Sequence, residues 1–198
     1  MNLRFRWDQP LPALRTTRLV LRPFVEADAP IVQAFAGARA IADTTLSIPH
    51  PYPEGGAAAW IASHADARAR GLAVQYAITF ADTHADTEAD SFIGTVSLGI
   101  DRNADLAEMG YWIGEPYWGY GYCTEAALRL LQFAFTDIGL NRVYARYLSR
   151  NEASGRVLRK LGMRHEGTLR QHVRKWDVLE DIHVLGVLAV EWRGGQPG

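Results

Sequence analysis

Along this chain the spacing of apolar and polar positions changes repeatedly between the period of a strand and that of a helix. Arg18-Leu19-Val20-Leu21-Arg22 alternates as a strand does, and Pro23 ends it. A helix is predicted to start near Asp28, with Pro30 in its first turn and Ile31, Ala34 and Phe35 on one face. Residues 43–56, with Ser47, three prolines and Gly55-Gly56, read as a loop lying over something. Ala57 to Arg70 is alanine-rich and helical, with Trp60, Ile61, His64 and Ala65 as its inner side. Strands follow at Ala73–Phe80 and Ser91–Leu98, and Gly99–Asp105 turns the chain into a third at Met109–Ile113. Short turns between three successive strands predict an antiparallel meander. A second helical period carries Ala127, Leu130, Leu131, Ala134 and Phe135 and stops at Gly139 and Asn141. Arg142–Leu148 is the next strand. Asn151 then caps a helix that turns Ala153, Val157, Leu158 and Leu161 inward and ends at Gly162. His172 to Val190 reads as two strands around a turn near Asp177–Glu180.

This order predicts one mixed α/β domain over residues 16–190, with an arm at 1–15 and a flexible tail at 191–198. A length of 198 residues suits that reading. A net charge of −1 supplies no basic field for nucleic acid, so none is expected as a partner. One cysteine, Cys123, fits a reducing compartment, and the broken start MNLRFRWDQP resembles no signal peptide. No apolar run is long enough to span a membrane. A soluble, cytoplasmic protein is the expectation. Asp82, His84, Asp86 and Glu88 are metal-capable types, but in the polar run 81–90 they read as a solvated hairpin tip, so no metal is expected.

The chemistry-bearing stretch is EMGYWIGEPYWGYGYCTEAALRLLQFAF, Glu108 to Phe135: a strand, a glycine-punctuated loop and a helix start. Unpaired N–H groups at the positive end of a helix dipole bind phosphate without a basic side chain. A dinucleotide fingerprint needs GxGxxG directly after the opening strand of a fold and an acidic residue about twenty positions on. Here the third glycine position is Thr124, and the loop lies deep in the chain. The dinucleotide reading fails on both counts.

The same loop and helix, EMGYWIGEPYWGYGYCTEAAL, resemble the acyl-CoA-binding motif of the GNAT N-acetyltransferase superfamily, and within it the RimJ/RimL branch of ribosomal-protein N-terminal acetyltransferases. Four further pieces agree: Thr17 to Arg22, Asn151-Glu152-Ala153-Ser154, Leu158 to Met163 followed by Glu166-Gly167, and Asp181 opening the last strand. The resemblance implies a mostly antiparallel sheet of about seven strands flanked by helices, with a splayed strand pair binding CoA. It implies acetyl-CoA as co-substrate, with Trp112, Ile113, Trp118, Gly119, Tyr120, Gly121, Tyr122, Cys123, Thr124 and Asn151 as the residues that hold it. Backbone N–H groups of Gly119 to Thr124 would take the pyrophosphate. The pantetheine arm would pair with the strand edge near Ile113 and bond to Asn151. Relatives are often homodimers. Two positions depart from the family pattern: Pro116 stands where Gln or Arg often opens the loop, and Tyr120 where the branch often has Lys.

Acetyl transfer to an amine needs a free-base nucleophile and a proton for the leaving thiolate. An α-amine of pKa about 8 is roughly a tenth free base at neutral pH, whereas a lysine amine near 10.4 is free at only about four parts in ten thousand. Many of these enzymes carry an acidic tyrosine seven residues after the asparagine; that position here is Leu158, so that mechanism does not transfer. In the RimJ/RimL branch a serine three residues after the asparagine has that role, which implies Ser154 as the acid. Glu108 is the candidate base or water-orienter, on the strand face of Gly110 and Trp112. Asp181 and His183 share a late strand face and are candidates to hold the amine; His50 lies on the loop over the acceptor. Cys123 reads as a small buried residue, since no histidine is near it in sequence and the branch transfers directly. The expected function is N-acetylation of a primary amine such as a protein N-terminus. The alternatives are a weakly active or non-catalytic acyl-CoA-binding module and a small-molecule acetyltransferase acting on a polyamine, amino acid or antibiotic.

Overall fold

In the computed structural model, which describes residues 5–81 and 91–194, β1 (Leu14–Arg15), β2 (Leu19–Arg22), β3 (Ala73–Phe80), β4 (Phe92–Asp101), β5 (Leu106–Ile113) and β6 (Arg142–Leu148) lie side by side in chain order. β8 (Val178–Leu188) follows β6, and β7 (Arg164–Lys175) forms the edge, completing an eight-stranded sheet. Every neighbouring pair is antiparallel except β5 with β6. The fold is the mixed, mostly antiparallel α/β architecture that the sequence resemblance implies, with eight strands in place of about seven.

Helices cover both faces. α4 (Tyr122–Phe133) continues as a π-helical turn, Ala134–Ile138, and with α5 (Glu152–Lys160) packs on the larger core. There Tyr76, Leu130, Leu131 and Phe133 are almost fully enclosed. Burying one such side chain is worth about 1.5–3 kcal/mol, so this layer supplies much of the stability. α1 (Ala29–Gly37) and α3 (Gly56–Ala69) cover the opposite face around Val32, Ala57, Ala77 and Phe92, and the short α2 (Arg39–Thr44) lies between them.

β3 and β6 match their predicted bounds, and the meander β3-β4-β5 is present. Several features differ from the sequence reading: the pattern does not predict the helix α2, and Ala65 and Ala153, read as inward-facing, are exposed. Within the arm, Leu14–Arg15 pairs with β2, Leu11 and Leu14 are buried, and Phe5 and Trp7 pack on the core. α1 turns Val32 and Ala36 inward and leaves Ala34 exposed. β7 begins at Arg164, before the predicted His172, because an edge strand exposed on both faces shows no alternation to read. In the tail, Glu191 pairs with Arg164 at 2.9 Å and Trp192 packs against Phe135. The polar run 82–90, with its candidate metal types, lies outside the described residues. Among the described residues, no helix is long and apolar enough to cross a membrane, and no group of three metal-capable side chains comes together.

Candidate active site

β5 and β6 pair for three rungs, Leu106 with Arg142, Ala107 with Val143 and Glu108 with Tyr144, and then part. β5 continues to Ile113 and β6 to Leu148 with nothing between them from the sheet. The Gly114 N–H bonds the Ile93 carbonyl on the β4 side, so by strand alternation the backbone groups of Tyr111 and Ile113 face the gap. The gap opens into a cavity of about 840 Å³ that runs from the glycine loop past α5 to the loop after α2.

At one end of the cavity Gly119 and Gly121 hold φ of +85° and +82°, and Gly121 is the N-cap of α4. Left-handed φ favours glycine and turns successive N–H groups inward. An added Cβ at Gly119 would meet nothing within 4 Å, so conformation and not space demands glycine there. The opening strand braces this loop. Glu125, in the first turn of α4, accepts from Thr16 Oγ1 at 2.6 Å, the Arg18 N–H at 3.0 Å and Arg18 Nε at 2.7 Å. Burial alone would raise the Glu125 carboxyl, but these donors outweigh it and hold it below the usual carboxylate range. Arg18 also donates to the Tyr120 carbonyl at 3.1 Å and lies 4.6 Å over the Tyr122 ring. Sequence spacing alone showed neither Arg18 nor Glu125 as part of the loop's support, although both fall in motifs quoted for the resemblance.

Trp112, Ile113, Trp118, Gly119, Gly121, Tyr122, Cys123, Thr124, Asn151, Glu108 and Ser154 all border the cavity. Tyr120 does not; it projects outward, 63 % exposed, and stacks on Tyr122. The Trp118 indole N–H donates to the Ile113 carbonyl, on the open edge. Burial pushes the Cys123 thiol up to about 12, which keeps it protonated at neutral pH and unsuited to nucleophilic attack.

Asn151 is the N-cap of α5: its Oδ1 accepts from the Ser154 N–H at 3.1 Å, while Nδ2 donates to the Thr44 carbonyl at 2.9 Å. Ser154 Oγ lies 2.8 Å from the hydroxyl of Tyr111. Burial, then the neighbouring Cys123, raises the Tyr111 hydroxyl far above its usual value, so it holds its proton across the working pH range. The Tyr111–Ser154 pair was hidden in the sequence because the two residues are 43 positions apart and Tyr111 stood among six clustered aromatics. Tyr147 borders the same region; a Cβ at Gly155 would lie 2.6 Å from its hydroxyl, so glycine there gives the ring its place.

Glu108 occupies the last rung before the strands part. Arg146 grips it through both oxygens, at 2.7 and 3.0 Å, and Tyr144 donates to it at 3.3 Å. Asp181 and His183 do not border the cavity. Asp181 accepts the Gln171 N–H at 2.7 Å, and His183 Nδ1 lies 2.8 Å from Thr168 Oγ1 and 3.3 Å from His165 Nε2. His50 is also outside the lining, its Nδ1 3.1 Å from the Gly37 carbonyl and its ring against Trp176.

The loop after α2 closes the far end of the cavity, and β6–β8 elements clamp it. Asp43, in the last turn of α2, binds Arg150 at 3.1 Å and the Trp176 indole at 2.7 Å, and in the loop itself the Ile48 carbonyl accepts from Lys175 Nζ at 3.1 Å. This is the cover predicted for residues 43–56.

Comparison with known proteins agrees with this geometry. The model of the acetyltransferase (GNAT) domain matches residues 18–164. The uncharacterized N-acetyltransferase p20 of Bacillus licheniformis is 34 % identical over 103 residues, 52 % of this chain and 58 % of that protein. The chain spans little more than half the length of the first of the curated relatives it matches. Among solved structures, the ribosomal L7/L12 α-N-protein acetyltransferase RimL with coenzyme A superposes with a TM-score of 0.79 at 18 % identity, covering 89 % of this chain and 98 % of RimL. RimJ of Mycobacterium smegmatis with CoA-disulfide gives 0.76 at 22 % identity, covering 93 % and 90 %. At such identities these structures bear on the fold alone.

Proposed function

The chain belongs to the GNAT acetyltransferase family, and on that premise we propose that it is an acetyl-CoA-dependent N-acetyltransferase acting on a primary amine, with a protein N-terminal α-amine as the acceptor. One observation carries the reading: β5 and β6 part after Glu108, leaving the Tyr111–Ile113 edge open in a cavity bounded by the glycine loop and Ser154. The residues present fit the co-substrate. Two left-handed glycines at a helix start suit a pyrophosphate, and an open strand edge suits an amide-bearing arm. Gly119 to Thr124 and the Tyr111–Ile113 edge would hold it, with Trp112, Trp118 and Asn151 beside them.

Bound there, acetyl-CoA supplies the reactive thioester. Side chains alternate along β5, so Glu108 and Tyr111 serve opposite faces of the gap. Glu108 lies on the face where an amine would arrive. With both oxygens already accepting from Arg146, it orients the amine or a water and does not act as an unencumbered base. That suits an α-amine, about a tenth of which is free base at neutral pH. On the other face Ser154 gives its proton to the departing sulfur and is reprotonated by the one the amine releases, while Tyr111, bonded to Ser154 Oγ, keeps its own proton and holds that hydroxyl in place.

The grip of Arg146 on Glu108 is also what favours a second reading, a CoA-binding module with little turnover. Calorimetric titration of acetyl-CoA beside a thiol-release assay on N-terminal peptides separates the two. Saturable binding with turnover on α-amines is expected; saturable binding with no thiol release on any peptide, polyamine, amino acid or aminoglycoside would leave the module reading.

A further inference from the structure

The acceptor half of the cavity, on the Glu108 side of β5, is walled by Ile41, Leu46, Ile48, Tyr52, Trp60 and Trp112. The three rings are partly buried against the Val32–Phe92 cluster, which fixes the wall. Four of its hydroxyls are already committed to backbone of their own or adjacent elements, which leaves those of Ser47 and Tyr52 facing the cavity. Thr44 donates to Ala40, Thr45 to Ile41 and Thr95 to Tyr76, each at 2.9 Å, and Ser97 to Gly110 at 3.3 Å. Glu108 is the one carboxylate among the described lining residues, and Arg146 neutralises it. Asp43, just outside, is taken by Arg150 and Trp176.

A polyamine or aminoglycoside entering this wall would carry further ammonium groups out of water with no unpaired carboxylate to meet them, which disfavours burial. An acidic side chain would find Arg146 already engaged, and the other lining cations, Arg156 and Lys160, stand on α5 with Ser154. An aliphatic or aromatic group would shed water against a preformed apolar surface. Resting on the transferase reading above, we propose that the acceptor is an α-amine whose adjacent side chain is apolar, the N-terminus of a peptide or an amino-acid derivative beginning with an aliphatic or aromatic residue. In the transfer the amine nitrogen bonds the acetyl carbon, the carbon–sulfur bond breaks, and the proton lost by the amine is balanced by the one gained by the thiolate.

The test measures kcat/KM for otherwise identical peptides that begin with Leu, Phe, Ser, Asp or Lys, with spermidine and an aminoglycoside alongside, and acetyl-CoA binding as a separate readout. Leu or Phe peptides should exceed Asp and Lys peptides by about ten- to hundred-fold, the discrimination typical of one apolar side chain in a fitted pocket. Ile48→Asp should shrink that ratio at least several-fold while acetyl-CoA binding stays unchanged, which reports an intact fold. Preference for spermidine, an aminoglycoside or a charged N-terminus would overturn the acceptor proposal and leave the transferase reading standing. Normal acetyl-CoA binding with no thiol release from any amine would overturn both.

Discussion

The two halves of the cavity are built by different means. The proposed donor half comes chiefly from one contiguous stretch, Tyr111 to Thr124, with Asn151 and Ser154 at the start of α5 beside it, and works mostly through backbone: an open strand edge and N–H groups at a helix start. The acceptor half is assembled from α2, the loop behind it, α3, β5 and β6, and works through side chains held by distant partners such as Asp43 with Arg150 and Trp176. Recognition by backbone needs only glycines in the right places. Recognition by side chains needs the whole fold to bring them together. One half therefore tolerates change in side chains, and the other tolerates little.

The largest effect should come from breaking the donor half where backbone conformation matters. Gly121→Val forces a branched residue into φ of +82° at the N-cap of α4, and acetyl-CoA affinity should fall by about two orders of magnitude, read by titration calorimetry. In contrast, Tyr120→Lys changes only an exposed side chain and should tighten binding by a few-fold, more at low ionic strength.

Between the halves, Ser154→Ala should lower kcat about a hundred-fold with little change in acetyl-CoA affinity. Tyr111→Phe removes only the hydroxyl that holds Ser154 in place, so kcat should drop about ten-fold while acetyl-CoA affinity stays unchanged, a split that general loss of packing would not produce. Unchanged kcat in both variants across pH 6–9 would remove the acid role from this pair. On the acceptor side, Trp176→Phe deletes the indole bond to Asp43 and should raise KM for the amine several-fold while donor binding is constant. The smallest effect concerns stability. His64, enclosed by Trp60 and Phe24, has its pKa pushed down to about 4 by burial. The unfolded chain takes up a proton near pH 6.5 that the folded ring refuses, so stability should fall from pH 6.5 to 4 by on the order of 1–2 kcal/mol, less than the full shift because the ring is partly exposed. His64→Leu should flatten that part of a denaturation-versus-pH curve.

The same contrast explains what could be read from the sequence. β3, β6 and the Asn151 cap announce themselves through local alternation and a local hydrogen bond, and the glycine loop through its spacing. α2 is six residues with little periodicity, and β7 is polar on both faces, so neither shows a pattern. The pairings on which the proposed chemistry rests, Glu108 with Arg146 and Tyr111 with Ser154, join residues about forty positions apart, and no local pattern encodes such a distance. Cys123 and Ser154 stood in the sequence as residue types with a role to assign; only their surroundings distinguish an inert thiol from a hydroxyl with a partner.

The short parallel ladder between β5 and β6 has a mechanical side as well. Among the described residues, three rungs of ladder, extended by the Asn141 N–H on the Asp105 carbonyl, join the first five strands to the last three, and the ion pair of Glu108 with Arg146 sits at the tip of the split like a rivet at the end of a crack. A rivet of charge holds less well as salt rises, whereas greasy packing holds better. The sheet opens just beyond this ion pair, so the depth available to a guest is measured from it.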